Sequence, residues 1–216
     1  MLFTMANQSL HYHNRLILKN LTLSINAGEK VAIIGASGAG KSTLLKSLRE
    51  QHSKDLAWCP QQPGLVPMLS CHHNIYMGQL ENHHFLANLR QLVLPSKPVK
   101  AAIYNVAQEL EIEQQLKQAS AALSGGQAQR CSIARAIYSQ KDILLADEPL
   151  SALDFIQAQK VMRSLCQHFP TLVISLHNVE LAINQCQRII ALKDGRILFD
   201  KPSSQVSPSD LTLVYN

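Results

Sequence analysis

The chain is 216 residues long, 46% of them hydrophobic, with 20 basic residues against 15 acidic ones and a net charge of +5. That length suits one compact domain, or a domain with a small subdomain, and no apolar run approaches the roughly 18–20 residues that cross a bilayer. The basic excess is mild, no dense Lys/Arg run marks a nucleic-acid groove, and one Trp among 5% aromatics offers little surface for base stacking. Residues Met1 to Asn7 lack the charged start and cleavage site of a signal peptide, so a cytoplasmic protein is expected. Five cysteines (Cys59, Cys71, Cys131, Cys166, Cys186) form no Cys-x-x-Cys pair, and reduced, structural thiols are expected. His72-His73 and His83-His84 have no cysteine or carboxylate at ligand spacing, which favours solvated polar positions over a metal site.

In chain order, Tyr12 lies in the polar stretch His11 to Arg15, where it is either an aromatic for an adenine ring or an ordinary edge-strand tyrosine. Leu18 to Ile25 alternate apolar and polar, the pattern of a half-buried strand. A turn at Asn26-Ala27-Gly28-Glu29 leads into the buried strand Val31-Ala32-Ile33-Ile34. Gly35-Ala36-Ser37-Gly38-Ala39-Gly40-Lys41-Ser42-Thr43 follows and fits Gly-x-x-x-x-Gly-Lys-[Ser/Thr], with a helix predicted from Ser42 to about Arg49. Strand, glycine loop and helix are the setting of a phosphate-binding loop, in which backbone N–H groups and the helix dipole cradle phosphates. Lys41 then reaches the terminal phosphates and the Ser42 hydroxyl joins the shell of Mg²⁺. The chain is expected to bind a nucleoside triphosphate.

Leu56-Ala57-Trp58-Cys59 reads as the next strand, broken by Pro60-Gln61-Gln62-Pro63-Gly64-Leu65. A glutamine leaving a strand end here is placed to meet Mg²⁺ or water. From Cys71 to Lys117 the apolar spacing turns helical: Leu86, Leu89, Leu92 and Val93, then Ile103, Val106, Ala107 and Leu110 after Pro98. Leu123-Ser124-Gly125-Gly126-Gln127 opens another helix, either as an anion-binding turn or as a plain N-cap. Ile143-Leu144-Leu145-Ala146 ends in Asp147-Glu148, a buried strand delivering two carboxylates to its C-terminal edge, where ligands gather in open α/β sheets. One carboxylate can hold Mg²⁺ and the next can accept a proton from attacking water. Ser151-Ala152-Leu153-Asp154 leads into a helix from Phe155 to about His168, and His177 stands two residues past the strand Thr171 to Ser175, at the same edge. A helix from Val179 to Cys186 and a hairpin turning at Asp194-Gly195 close the chain, with a Ser- and Pro-rich surface tail expected from Lys201.

This ordered set closely resembles the ATP-binding subunit of ABC transporters over nearly the whole chain. The resemblance implies an α/β P-loop NTPase fold in a single domain, 1–216. Its core sheet would be mostly parallel, with an N-terminal antiparallel β-subdomain and a helical subdomain at about 71–122. It implies ATP and Mg²⁺ as cofactors, with Gly35, Ser37, Gly38, Ala39, Gly40, Lys41, Ser42 and Thr43 on the phosphates. Tyr12 matches the adenine-stacking aromatic. Gln61, rather than Gln62, matches the loop glutamine because Leu65-Val66-Pro67 follows at the family's offset. Ser124, Gly125, Gly126 and Gln127 match the signature that completes the partner subunit's site. Asp147 corresponds to the Mg²⁺ partner, Glu148 to the general base, Asp154 to the dimer-contact aspartate and His177 to the γ-phosphate contact.

A second cassette (in a homodimer), membrane permease subunits and a solute-binding protein are the implied partners, nucleic acid is not, and the subunit would sit peripherally on the inner face of the cell membrane. Gln61-Gln62, Ser175 to Ala182, Arg188 to Arg196 and Leu213-Val214-Tyr215 look most like phosphonate-import ATPases, which implies import of a phosphonate or related oxyanion. The alternative is a cell-division or lipoprotein-release ATPase of the same class, separable by what co-purifies. One departure stands out. Only nineteen residues separate Lys41 from Gln61, fewer than in these relatives, so the β-subdomain is expected to be trimmed and Tyr12 to be less firmly held.

Overall fold

A computed structural model describes residues 1–215. Two strands, β1 (Phe3–Tyr12) and β2 (Arg15–Ile25), form an antiparallel ribbon. Their turn places His13 and Asn14 at φ of 45° and 62°, the paired left-handed conformations of a tight hairpin. Next come β3 (Lys30–Ile34), α1 (Lys41–Gln51) and β4 (Leu56–Cys59). A helical stretch holds α2 (Cys71–Tyr76), a 3₁₀ turn at Met77–Asn82, α3 (Phe85–Val93) and α4 (Lys97–Glu109). The chain returns through α5 (Gly125–Tyr138), β5 (Ile143–Asp147), α6 (Phe155–His168), β6 (Thr171–Ser175) and α7 (Val179–Gln185). The hairpin β7 (Arg188–Lys193) and β8 (Arg196–Pro202) precedes a last helix, α8 (Pro208–Tyr215).

The main sheet runs β4-β5-β6-β3-β7-β8, parallel except for β8. Its parallel strands are largely buried on both faces, and the period of two divides them between two cores. Ala32 and Ile34 join Leu144 and Ala146 beneath the helical side, while Val31 and Ile33 join Leu145 beneath α1 and the ribbon. The order has a direct consequence. Strands β3, β5 and β6 lie side by side, so the glycine loop, the Asp147-Glu148 pair and His177 all leave the same edge.

Helix α1 ends against the ribbon. The Gln51 side chain accepts from the Thr4 N–H (3.1 Å) and donates to the Thr4 carbonyl (3.3 Å), while the His52 ring bonds the Leu2 carbonyl at 2.7 Å. Strand β1 itself has register shifts after Met5, with Asn7 at φ 51°.

Two expectations need correction. The segment from Lys201 is not a surface tail: β8 extends to Pro202, and α8 returns to the sheet with Val214 in the core and the Leu213 carbonyl accepting from Lys193 Nζ at 2.7 Å. Apolar residues spaced along a single short helix are too few to show a period, which is why polar composition misleads there. His72 and His73 are half-buried rather than solvated. The His73 ring spans the Ser70 hydroxyl (2.7 Å) and the Leu92 carbonyl (3.1 Å), tying α2 to α3. Burial, with His73 and Lys100 nearby, lowers His72 to about 4.

Candidate nucleotide site

Left-handed backbone at Gly38 (φ 80°) and Gly40 (φ 102°) curls the loop after β3. A Cβ on Gly40 would lie 2.8 Å from Leu18 Cδ2, so the ribbon packs where only glycine leaves room. Lys41, at the first turn of α1, is 4% exposed and folds over the loop, donating to the carbonyls of Gly35 (2.9 Å) and Ala36 (3.2 Å). A cavity of about 290 Å³ opens above, lined by Tyr12, Ile17, Ser37, Gly38, Gly40, Lys41, Ser42, Thr43, Gln61 and Glu148. Tyr12 closes one side, half exposed, its ring edge-on to His13 and 5.4 Å from the Lys46 ammonium.

Glu148 is where the elements converge. Its Oε1 lies 3.4 Å from Lys41 Nζ and 2.7 Å from His177 Nε2, while its Oε2 accepts from Gln61 Nε2 at 3.0 Å. These groups come from the start of α1, the end of β6 and the loop after β4. Glu148 also has φ of 48°, a conformation that costs a non-glycine residue on the order of 1–3 kcal/mol unless its surroundings hold it. One such hold is Ser175, whose hydroxyl accepts from the Glu148 N–H (2.8 Å) and donates to Asp147 Oδ1 (2.8 Å).

Ser42 and Gln61 line the cavity with a hydroxyl and an amide oxygen, and the buried Asp147 carboxylate ends β5 one residue before Glu148, which lines it too. Hard oxygen donors of this kind suit Mg²⁺ rather than a softer ion.

Ser124, Gly125, Gly126 and Gln127 are not brought to this cavity. Ser124 and Gln127 form a reciprocal capping box at the start of α5. Asp154, too, lies outside it, with its carboxylate accepting from the Gln157 N–H (2.9 Å) as the N-cap of α6. Between them sits Gln129, 6% exposed, donating to Ser151 Oγ (2.7 Å) and accepting from the Ala152 N–H (2.9 Å). Neither Gln129 nor Ser175 is singled out by the sequence. A glutamine inside a helix and a serine inside an apolar strand carry no local signal; the strand register pairing Asp147 with Ser175 is the feature that reveals the second.

The glycine loop, the acid pair and the glutamine loop fall within the match to the ABC transporter family model, which covers residues 18–55 and 48–151. Its two pieces meet at 48–55, in the short flank between Lys41 and Gln61. The phosphonates import ATP-binding protein PhnC of Rhizobium johnstonii is 33% identical over 243 aligned positions, covering 99% of this chain and 86% of the relative. A protein of that name from Pseudomonas syringae pv. tomato is 37% identical, covering 95% and 88%. Among solved structures, a dimeric bacterial ABC transporter cassette superposes with a TM-score of 0.79 at 26% identity, covering 93% of this chain and 98% of that one. Its post-hydrolysis state bound to ADP and Pi gives 0.78. The chain belongs to the ABC transporter family, as a cassette that binds and hydrolyses ATP.

Proposed function

We propose that this cassette energises import of a phosphonate or related oxyanion through a separate membrane permease fed by a solute-binding protein. The names and near-full coverage of the relatives support that reading. So does the helical side. Around an apolar groove of about 390 Å³, lined in part by Leu69, Tyr76, Leu80 and Leu92, the chain exposes Phe85, Leu86, Val93 and Leu94. Exposed apolar surface of this extent marks a protein contact, and among the described residues no helix is long and apolar enough to cross a membrane itself. A permease segment seated there would place the chain at the inner membrane face.

The convergence on Glu148 carries the catalytic reading. Glu148 is the general base, accepting the proton of the attacking water. Lys41 leaves its loop carbonyls and Glu148 to meet the β- and γ-phosphates, which the N–H groups of Gly38, Ala39, Gly40 and the start of α1 surround. Tyr12 stacks on adenine and His177 holds the γ-phosphate. Ser42, Gln61 and Asp147 would hold Mg²⁺, which when bound neutralises phosphate charge. Ser124 to Gln127 face the nucleotide of a second copy, with Asp154 at that junction, so each site is finished by its partner. Contacts made only in the closed dimer then supply the affinity difference that drives a conformational cycle.

Glu148→Gln separates these roles. It should retain ATP binding, lose about 10²–10⁴-fold in turnover and accumulate as an ATP-bound dimer in size-exclusion chromatography. Near-normal turnover would remove Glu148 from its assignment. For import, the cassette should co-isolate with a multi-span permease from native membranes and support ATP-dependent phosphonate uptake in reconstituted vesicles.

A further inference from the structure

Ser175 is the last residue of β6, fully buried, directly opposite Asp147 in the parallel register. The direction of its two hydrogen bonds follows from chemistry. A backbone N–H can only donate, so at Glu148 the hydroxyl oxygen accepts, and the single hydroxyl proton is left for Asp147 Oδ1. Among the described residues Ser175 is the hydrogen-bond donor to that carboxylate. With Oδ1 engaged, Oδ2 is the oxygen left for a metal or its water. The same hydroxyl pins the N–H of a residue at φ 48°, where the chain leaves β5 and turns the Glu148 side chain toward Lys41, Gln61 and His177. One buried hydroxyl therefore fixes both acids without itself lining the nucleotide cavity.

We propose that Ser175 is a positioning residue for ATP hydrolysis, orienting the Asp147 carboxylate toward the metal and holding the backbone turn that aims the Glu148 carboxylate. This rests on the assignment of Asp147 and Glu148 made above. The charge-assisted bond to Asp147 is the stronger of the two, so the metal-dependent part of nucleotide binding should respond most directly. Removing the hydroxyl leaves the glycine loop, Lys41 and Tyr12 in place, and binding of metal-free ATP should change little.

The test uses the purified full chain, a fluorescent ATP analogue and steady-state hydrolysis. In Ser175→Ala, affinity in the absence of Mg²⁺ should stay within about threefold, the tightening produced by Mg²⁺ should be largely lost, and kcat should fall about 10–100-fold with a smaller change in KM. Ser175→Thr, which keeps a hydroxyl, should recover most of both losses. If Ser175→Ala does not fold, Ser175→Cys replaces it, since a thiol is a weak donor and acceptor of similar size, and the same losses are expected. The proposal is overturned by a variant without the hydroxyl that keeps both the Mg²⁺ response and kcat, or by loss of kcat with the Mg²⁺ response intact. Failure of Ser175→Thr to recover either function, in a folded protein, overturns it as well. Glu148→Gln run alongside keeps the two ideas apart. Turnover lost in Glu148→Gln but kept in Ser175→Ala rejects only the role of Ser175, whereas turnover kept in Glu148→Gln rejects the base assignment on which it rests.

Discussion

Gly40 shows how narrowly single positions are specified in this molecule. Its φ of 102° and the 2.8 Å approach of Leu18 to a would-be Cβ exclude any side chain without movement of the ribbon or the loop. Gly40→Ala should therefore cost about 1–3 kcal/mol, read as a lower urea midpoint, and weaken ATP binding by displacing the loop N–H groups. A variant with unchanged midpoint and affinity would show that the contact with Leu18 relaxes freely. At this scale the sequence was readable where chemistry is local. A glycine loop with its lysine, an acid pair at a strand end and a histidine past the next strand each declare themselves by neighbours in the chain. Ser175 and Gln129 do not, because their partners lie 27 and 23 residues away, across a strand register and a helix-to-turn contact that no local pattern encodes.

Helices are where the helical side acquires its pH response. His72 is neutral when buried, with its pKa lowered from 6.5 to about 4. Between those values the unfolded chain binds the proton and the folded chain does not, so stability is intact above pH 6.5 and declines as pH falls toward 4. Urea midpoints measured from pH 7.5 to 4.5 should drop less steeply in His72→Asn than in the parent; parallel curves would mean that His72 titrates equally in both states. The boundaries of α6 and β6 were legible to the residue, since Asp154 caps the one and five apolar-rich residues make the other. By contrast, β1 shows little alternation because only Phe3 and Met5 point inward before the register shifts. And α8 is held by the buried Val214, the half-buried Leu211 and bonds from Lys193 and Lys201 rather than by a long stripe, so its sequence looks like tail.

For the whole molecule, two unfinished surfaces define what the cassette can do. The first is the nucleotide cavity, which holds phosphate-loop and acid groups but none of Ser124 to Gln127. The second is the apolar face around α3. Leu86→Glu combined with Val93→Glu, at positions 76% and 78% exposed, should leave the hydrolysis rate of the isolated cassette within about twofold, because substitutions at exposed sites rarely disturb the fold. Permease co-isolation should fall by at least tenfold. Co-isolation at parental levels would place the permease contact elsewhere. The mostly parallel sheet was foreseeable from alternating strands and helices, whereas its strand order and the packing of α1 on the ribbon were not, since both rest on contacts between segments distant in the chain.

That packing bears on how the protein behaves in solution. Strand β1 has a neighbour on one side only, and an uncovered strand is a template for pairing with other chains. The Gln51 amide supplies Thr4 with the donor and acceptor that another strand would offer, and the shifts beyond Met5 break the straight run a second chain would need. The ribbon thus has part of its open edge closed by one side chain and the rest of its line broken by a kink, which works against pairing between crowded copies at that strand.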